Sequence, residues 1–219
     1  MRHLGGLFLA FEGVEGSGKS TQAKLLAERL QDRGLKVRHA REPGSTPLGE
    51  RIRALVLDER NLGIPAWSEL FLMLAARAAF VEQVVVPALA DGTVVIADRF
   101  ELSTLAYQGA GRGLPRHEVV SANRLATRDV SPDATILLSI PSEVGAHRQQ
   151  TAGKTPDRME SESRDFHERV ARGYEEYSDA VDNVIRVDGA GSIEEVHARI
   201  IGVLGKRFPE TFAVTGVIS

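Results

Sequence analysis

The stretch Leu7-Phe8-Leu9-Ala10-Phe11-Glu12-Gly13-Val14-Glu15-Gly16-Ser17-Gly18-Lys19-Ser20-Thr21-Gln22 decides the fold. An apolar run, which reads as a buried strand, enters a glycine-rich turn. A helix-like segment, Thr21 to Arg33, follows it, with Ala23, Leu26, Ala27 and Leu30 near a period of about 3.6. Gly13, Gly18, Lys19 and Ser20 fit the spacing G-x-x-x-x-G-K-[ST] in the strand, loop, helix order of a phosphate-binding P-loop. Glycines let backbone N–H groups turn inward around an anion, and the helix N-terminus adds its dipole and unpaired donors. The residues from Gly13 through Val14, Glu15, Gly16, Ser17, Gly18, Lys19 and Ser20 to Thr21 are therefore candidates for an ATP-binding loop. Lys19 can reach the outer phosphates, and the Ser20 hydroxyl can bind Mg²⁺. A glycine-rich turn that binds nothing is the competing reading, and the agreement of motif with context weighs against it.

Outward from this loop, strands and helices alternate. Further strands are expected at Lys36–Ala40, Thr93–Ala97, Ala134–Ile140 and Val184–Val187. Helices are expected at Pro47–Asp58, Ala66–Ala90 (kinked by Pro87), Phe100–Tyr107, Arg116–Arg128, Ser142–Gln150, Ser161–Val181 and Ser192–Lys206. Gln108–Pro115 reads as a glycine-rich loop. The pattern predicts an α/β P-loop nucleotide-kinase fold: a parallel sheet of about five strands, helices on both faces and a lid segment. One domain, 1–219, is expected, with the lid near 148–160 and a tail near 207–219 that carries no signal.

Composition narrows the class. Apolar residues make up 42% of the 219, charged residues 26%, and net charge is −3. These values suit a soluble globular chain and suggest neither a general nucleic-acid binder nor a membrane-surface protein. With no cysteine, disulfides, thiolate catalysis and Cys-ligated zinc are excluded. No apolar run reads as a membrane span, and Leu4–Phe11 is too short for a signal peptide before Glu12 interrupts it, so a cytoplasmic protein is expected.

Three further places carry chemistry. Asp98 ends an apolar strand, the position of a carboxylate that helps hold Mg²⁺, and Arg99 beside it would project elsewhere, towards a phosphate. Alone, the pair could simply cap a strand. Arg77 lies within an apolar helix, four residues after Met73, and needs a partner or an opening to water. It fits either a nucleobase pocket or an arginine snorkelling over core residues. Arg148, Lys154 and Arg158 surround a break at Gly153 and Pro156, as a lid closing on phosphates would require. A solvated basic loop is the alternative.

Together these motifs resemble the bacterial thymidylate kinase family over most of the chain. The resemblance rests on the P-loop, on Arg41-Glu42-Pro43-Gly44, on Pro87-Ala88-Leu89, and on Asp98-Arg99-Phe100 followed by Ser103-Thr104-Leu105-Ala106-Tyr107-Gln108-Gly109. It implies phosphorylation of dTMP to dTDP by ATP with Mg²⁺, in a homodimer. It implies that Glu15 lies near the sugar 3′-hydroxyl and that Arg99 grips the dTMP phosphate. Glu42, Pro43 and Arg53 would belong to the acceptor pocket, Arg77, Thr104 and Gln108 would surround thymine, and Tyr107 would exclude a 2′-hydroxyl. Met73 stands where the family usually has a phenylalanine stacked on the base, a place Phe71 could compensate. Gly16 stands where some members carry an arginine, so Arg148 or Lys154 is expected to supply that cation from the lid. A kinase acting on dUMP or a deoxynucleoside, and an ATP-hydrolysing switch, are the alternative functions. The grouping of Arg77, Arg99, Thr104 and Gln108 favours an acceptor pocket over a switch.

Overall fold

The computed structural model describes residues 5–61, 63–151 and 156–212. Lys154 and the tail beyond Phe212 lie outside them. Five strands form one sheet: β1 (Leu7–Glu12), β2 (Val37–Arg41), β3 (Val94–Asp98), β4 (Ala134–Ser139) and β5 (Val184–Asp188). Every pairing is parallel and the order is β2-β3-β1-β4-β5. The three central strands are almost wholly buried and the two edge strands only partly. That is why the central runs read as continuously apolar and the edge runs do not.

Helices cover both faces. On one side α1 (Lys19–Asp32) and α9 (Ile193–Arg207) bury Leu26, Leu30, Ile200 and Leu204 against Leu9, Ile96 and Ile136. Full burial of each such side chain is worth about 1.5–3 kcal/mol. On the other side lie α3 (Ala66–Phe80), α4 (Val86–Ala90), α5 (Glu101–Thr104), α6 (Arg116–Thr127) and α8 (Arg164–Tyr177), with α2 (Pro47–Leu57) packed on α3, while α7 (Ser142–Thr151) meets the loop after β1. A short α10 (Pro209–Phe212) docks Phe212 into the first core.

Two expectations change. The stretch Ala66–Ala90 is one continuous helical run as expected, but it carries a π-helical turn, Val81–Val85, between α3 and α4 ahead of Pro87. Pro87 lacks the N–H that an α-helix would return to the preceding turn, and the widened turn takes up the mismatch. By length and hydropathy this stretch could cross a bilayer, contrary to the sequence expectation. Its contacts are those of a core element, with Leu70, Leu74, Phe80, Val84 and Val85 buried and Glu69 and Arg77 buried beside them. Secondly, Gln108–Pro115 is not a loop from its start. Leu105–Gly111 is π-helical and, except for Ala110, buried against α8. A Cβ on Gly111 would stand 2.7 Å from the Phe166 ring, so the glycine that suggested a loop serves a close helix contact.

Candidate active site

The ends of β1 and β3 define the site. Phe11 pairs with Asp98, so the P-loop and Arg99 leave the sheet side by side. Gly18 caps α1 at φ 95, a left-handed turn that favours glycine, and Lys19 begins the helix. Lys19 Nζ donates to Val14 O at 2.7 Å, within the loop that would hold a phosphate. Burial, then repulsion from Arg99, lowers the Lys19 ammonium to about 8, against the pull of Glu15, Asp98 and Glu12. The Ser20 hydroxyl donates to the Asp98 carboxylate. These two hard oxygen donors fit Mg²⁺, which takes one or two protein oxygens and completes its shell with water and phosphate.

Arg99 has φ 74. A non-glycine residue in this region stores about 1–3 kcal/mol of strain, which the surroundings must hold in place. Buried Glu12 does so, accepting from the backbone N–H of Phe100 at 2.8 Å and of Ser103 at 3.0 Å, and from the Ser103 hydroxyl at 2.5 Å. The left-handed turn sends Arg99 away from Asp98. Its guanidinium pairs with Glu15 and donates to the Tyr174 hydroxyl at 2.9 Å and to Ser103 Oγ at 3.1 Å. Burial opposes that charge, but the Glu15 carboxylate, with Asp98 further off, holds it firmly protonated. Burial, with the Glu15 charge, pushes the Tyr107 hydroxyl up, so it stays protonated and donates to Glu15 at 3.0 Å.

A cavity of about 990 Å³ joins these groups. Its walls include Lys19, Ser20 and Asp98 with Arg99, Arg53 and Arg148. Arg53 also donates to Pro43 O at 3.2 Å, and burial followed by Arg41 and Arg99 lowers its pKa. The clustered cations make the cavity a host for anions. Arg148 donates to Gly189 O at 3.3 Å and to Gly16 O at 3.4 Å, beside the P-loop. A Cβ on Gly16, at φ 73, would stand 2.3 Å from Gly145 O, and one on Gly145 would stand 2.5 Å from Glu15 O. The P-loop and α7 thus meet backbone to backbone.

Deeper in, Arg77 neither opens to water nor snorkels. It is fully buried, and all five of its N–H donors are engaged. The Nε and one Nη2 hydrogen serve Glu42, the other Nη2 hydrogen serves Phe100 O at 2.9 Å, and Nη1 serves Thr104 Oγ1 at 2.7 Å and Asn123 Oδ1 at 2.5 Å. Burial raises the Glu42 carboxyl and Arg77 opposes it. Glu42 Oε1 has no partner among the described residues. Met73 is half-buried over Ile52, Val56 and Ala76. Phe71 cannot compensate for it: two residues away, it points out, 59% exposed, with its ring 6.0 Å from Trp67.

Arg158, grouped with the lid cations from sequence, is no phosphate ligand. It is buried, donating to Glu69 Oε2 at 2.5 Å and Val56 O at 2.6 Å. A hydrogen-bonding network around Glu69 that no motif announced absorbs it. Burial disfavours the Glu69 charge, yet Arg112, Gln108 and Arg158 hold the carboxyl below its usual range. Sequence reasoning also missed Gly189, Gly191, Ser192, Ile193 and Val196, which line the cavity after β5. The signal was available: Asp188-Gly189-Ala190-Gly191-Ser192 closes a parallel strand at its C-terminal end, where open sheets bind ligands.

A sequence model described as Thymidylate kinase matches residues 11–200. The chain is 41% identical over 213 residues to a thymidylate kinase of Pelobacter propionicus, covering 94% of this chain and 97% of the relative. It is 44% identical over 200 residues to one of Thermosipho africanus, covering 91% and 98%. It is 49% identical over 174 residues to one of Desulfovibrio desulfuricans, covering 77% and 80%.

Proposed function

The chain belongs to the thymidylate kinase family, and on that premise we propose that it transfers the γ-phosphoryl group of ATP to dTMP, giving dTDP. The observation that carries the reading is one cavity holding both ends of such a transfer. P-loop residues Lys19 and Ser20 and the acceptor-side arginines Arg99 and Arg53 line the same space. Phosphoryl transfer needs little covalent help from the protein, so catalysis rests on positioning and on charge placed around the transferring group.

In this reading residues Gly13 to Thr21 hold the ATP phosphates and Lys19 stabilises charge on the γ-phosphoryl group. Ser20 and Asp98 would hold Mg²⁺, which when bound neutralises phosphate charge. Arg99 takes the dTMP phosphate with the paired geometry a guanidinium offers an oxyanion. Glu15 faces the sugar, and Tyr107, fixed by Glu15, closes the place of a 2′-hydroxyl. Arg53, Glu42 and Pro43 shape the acceptor pocket. Arg77, Thr104, Gln108 and Met73 surround the base, and with every Arg77 donor taken, one partner must yield when thymine O4 arrives. Arg148 supplies the further cation from α7, and Lys154 remains a second candidate. The protein works as a single-domain cytoplasmic homodimer. Exposed Leu48, Leu55, Trp67 and Phe71 on α2 and α3 offer the apolar surface for a second copy.

The experiment is ADP release from ATP with and without acceptor. The expected outcome is strong stimulation by dTMP and little by dCMP, dGMP or AMP. ATP turnover that ignores every acceptor would instead describe a hydrolytic switch.

A further inference from the structure

Two stretches face each other across the predicted base pocket. Glu69, Met73 and Arg77 are spaced i, i+4, i+8 on α3 and share one face. Thr104 and Gln108 are i, i+4 on the opposite segment. They meet antiparallel: Arg77 donates to Thr104 at 2.7 Å, and Gln108 Nε2 donates to Glu69 Oε1 at 2.9 Å. Met73 lies between these two contacts. An ionised carboxylate only accepts hydrogen bonds, so Glu69 dictates which end of the Gln108 amide faces it. The amide nitrogen must turn to Glu69, and the carbonyl oxygen must turn away. That oxygen is buried, on a side chain 1% exposed, and no described residue donates to it.

We propose that Glu69 is a positioning residue for base selection: by fixing the amide of Gln108, it presents a carbonyl acceptor to the acceptor base. The inference rests on the proposed base pocket. A 4-oxo pyrimidine carries an N–H at N3 that can donate to this oxygen, whereas cytosine carries a lone pair there that repels it. An unmet or repelled buried acceptor is a strong ground for rejection. Glu69 is itself held ionised and immobile. Arg112 donates to Oε1 at 3.1 Å and to Oε2 at 2.9 Å, and Arg158 donates to Oε2 at 2.5 Å. The arginines thereby fix an amide that neither of them touches.

The test is Glu69→Gln. At the Oε2 position a new amide nitrogen would face two arginine donors, and at Oε1 it would face one. It should therefore occupy Oε1 and donate towards Gln108, which must flip and turn its own nitrogen to the base. The expected result is a rise in KM for dTMP, improved use of dCMP, and a dTMP-to-dCMP ratio of kcat/KM narrowed by about 10- to 100-fold. KM for ATP should be unchanged. In a Gln108→Leu background Glu69→Gln should leave the ratio where Gln108→Leu alone puts it. If Glu69→Gln fails to fold, Glu69→Asp, which keeps the charge between the arginines, is measured in the same way and should also narrow the ratio. Equal losses with dTMP and dCMP, or a ratio that still falls in the Gln108→Leu background, would overturn the proposal. A wild-type chain that does not prefer dTMP would overturn the proposed function instead.

Discussion

The proposed phosphate site and the proposed base site are built in opposite ways. At the first, one run of nine residues supplies a glycine-rich loop and a helix start, and the polar side chains of Lys19, Ser20 and Asp98 line the cavity. At the proposed base site, Glu42 before α2, Phe100 before α5, Thr104 of α5 and Asn123 of α6 converge on one fully buried guanidinium from α3. The first is a local device that any strand–loop–helix could carry. The second exists only once the whole fold has closed around it. Function should therefore be separable from stability at the phosphate site and inseparable from it at the base site.

Lys19→Ala is the sharpest way to break that contrast. Its loss should lower kcat by at least about 10³-fold, about 4 kcal/mol of transition-state stabilisation. Its described hydrogen bonds lie inside the P-loop, so stability should fall by no more than about 1 kcal/mol. A large fall in stability would show that the loop is part of the fold's framework.

Arg77→Ala should do the reverse. It leaves Glu42 buried without its counter-charge and takes the donor from the acceptors Thr104 Oγ1, Asn123 Oδ1 and Phe100 O. Removing one partner of a buried pair costs about 3–5 kcal/mol, readable as a lower urea midpoint with an unchanged slope. A variant of normal stability would mean that the base site is as detachable as the P-loop.

The smallest effect concerns protons. Lys19 titrates near 8 in the free protein, and a bound triphosphate favours its charged form. ATP binding at pH 8 should then take up to about half a proton. Calorimetry in buffers of different ionisation enthalpy reads this directly, and Lys19→Met should abolish it. Folding has a linked sign. The unfolded lysine keeps its ordinary value of 10.5 and binds more protons between pH 8 and 10.5. Its contribution to stability therefore rises with pH across that window.

The same contrast explains what could be read from the sequence. The sheet, the P-loop, Asp98 and Arg99 were legible because each depends on neighbours in sequence. The position of Arg77 was legible too, and the resemblance put Thr104 and Glu42 in its neighbourhood, but their direct bonds to it, and Asn123 altogether, were not. Glu42, Thr104 and Asn123 stand 35, 27 and 46 residues away, and no spacing rule joins them. Arg158 misled because a basic residue near Gly153 and Pro156 looks solvated, and only the buried carboxylate of Glu69 shows otherwise. The π-helical turn was hidden for a related reason. Gly109 and Gly111 are loop signals locally, and their use against α8 is decided by Tyr177 and Phe166, far along the chain.

The backbone contact between Gly16 and Gly145 has a consequence for substitution at position 16. If Arg148 supplies the further cation from α7, as proposed, an arginine at position 16 could not simply be added beside it. A side chain at position 16 would run into the carbonyl of Gly145, and retreat of α7 to admit it would withdraw Arg148 from beside the loop. Helix position and cation source would therefore have to change together, so the two glycines tie the placing of α7 to the make-up of the loop.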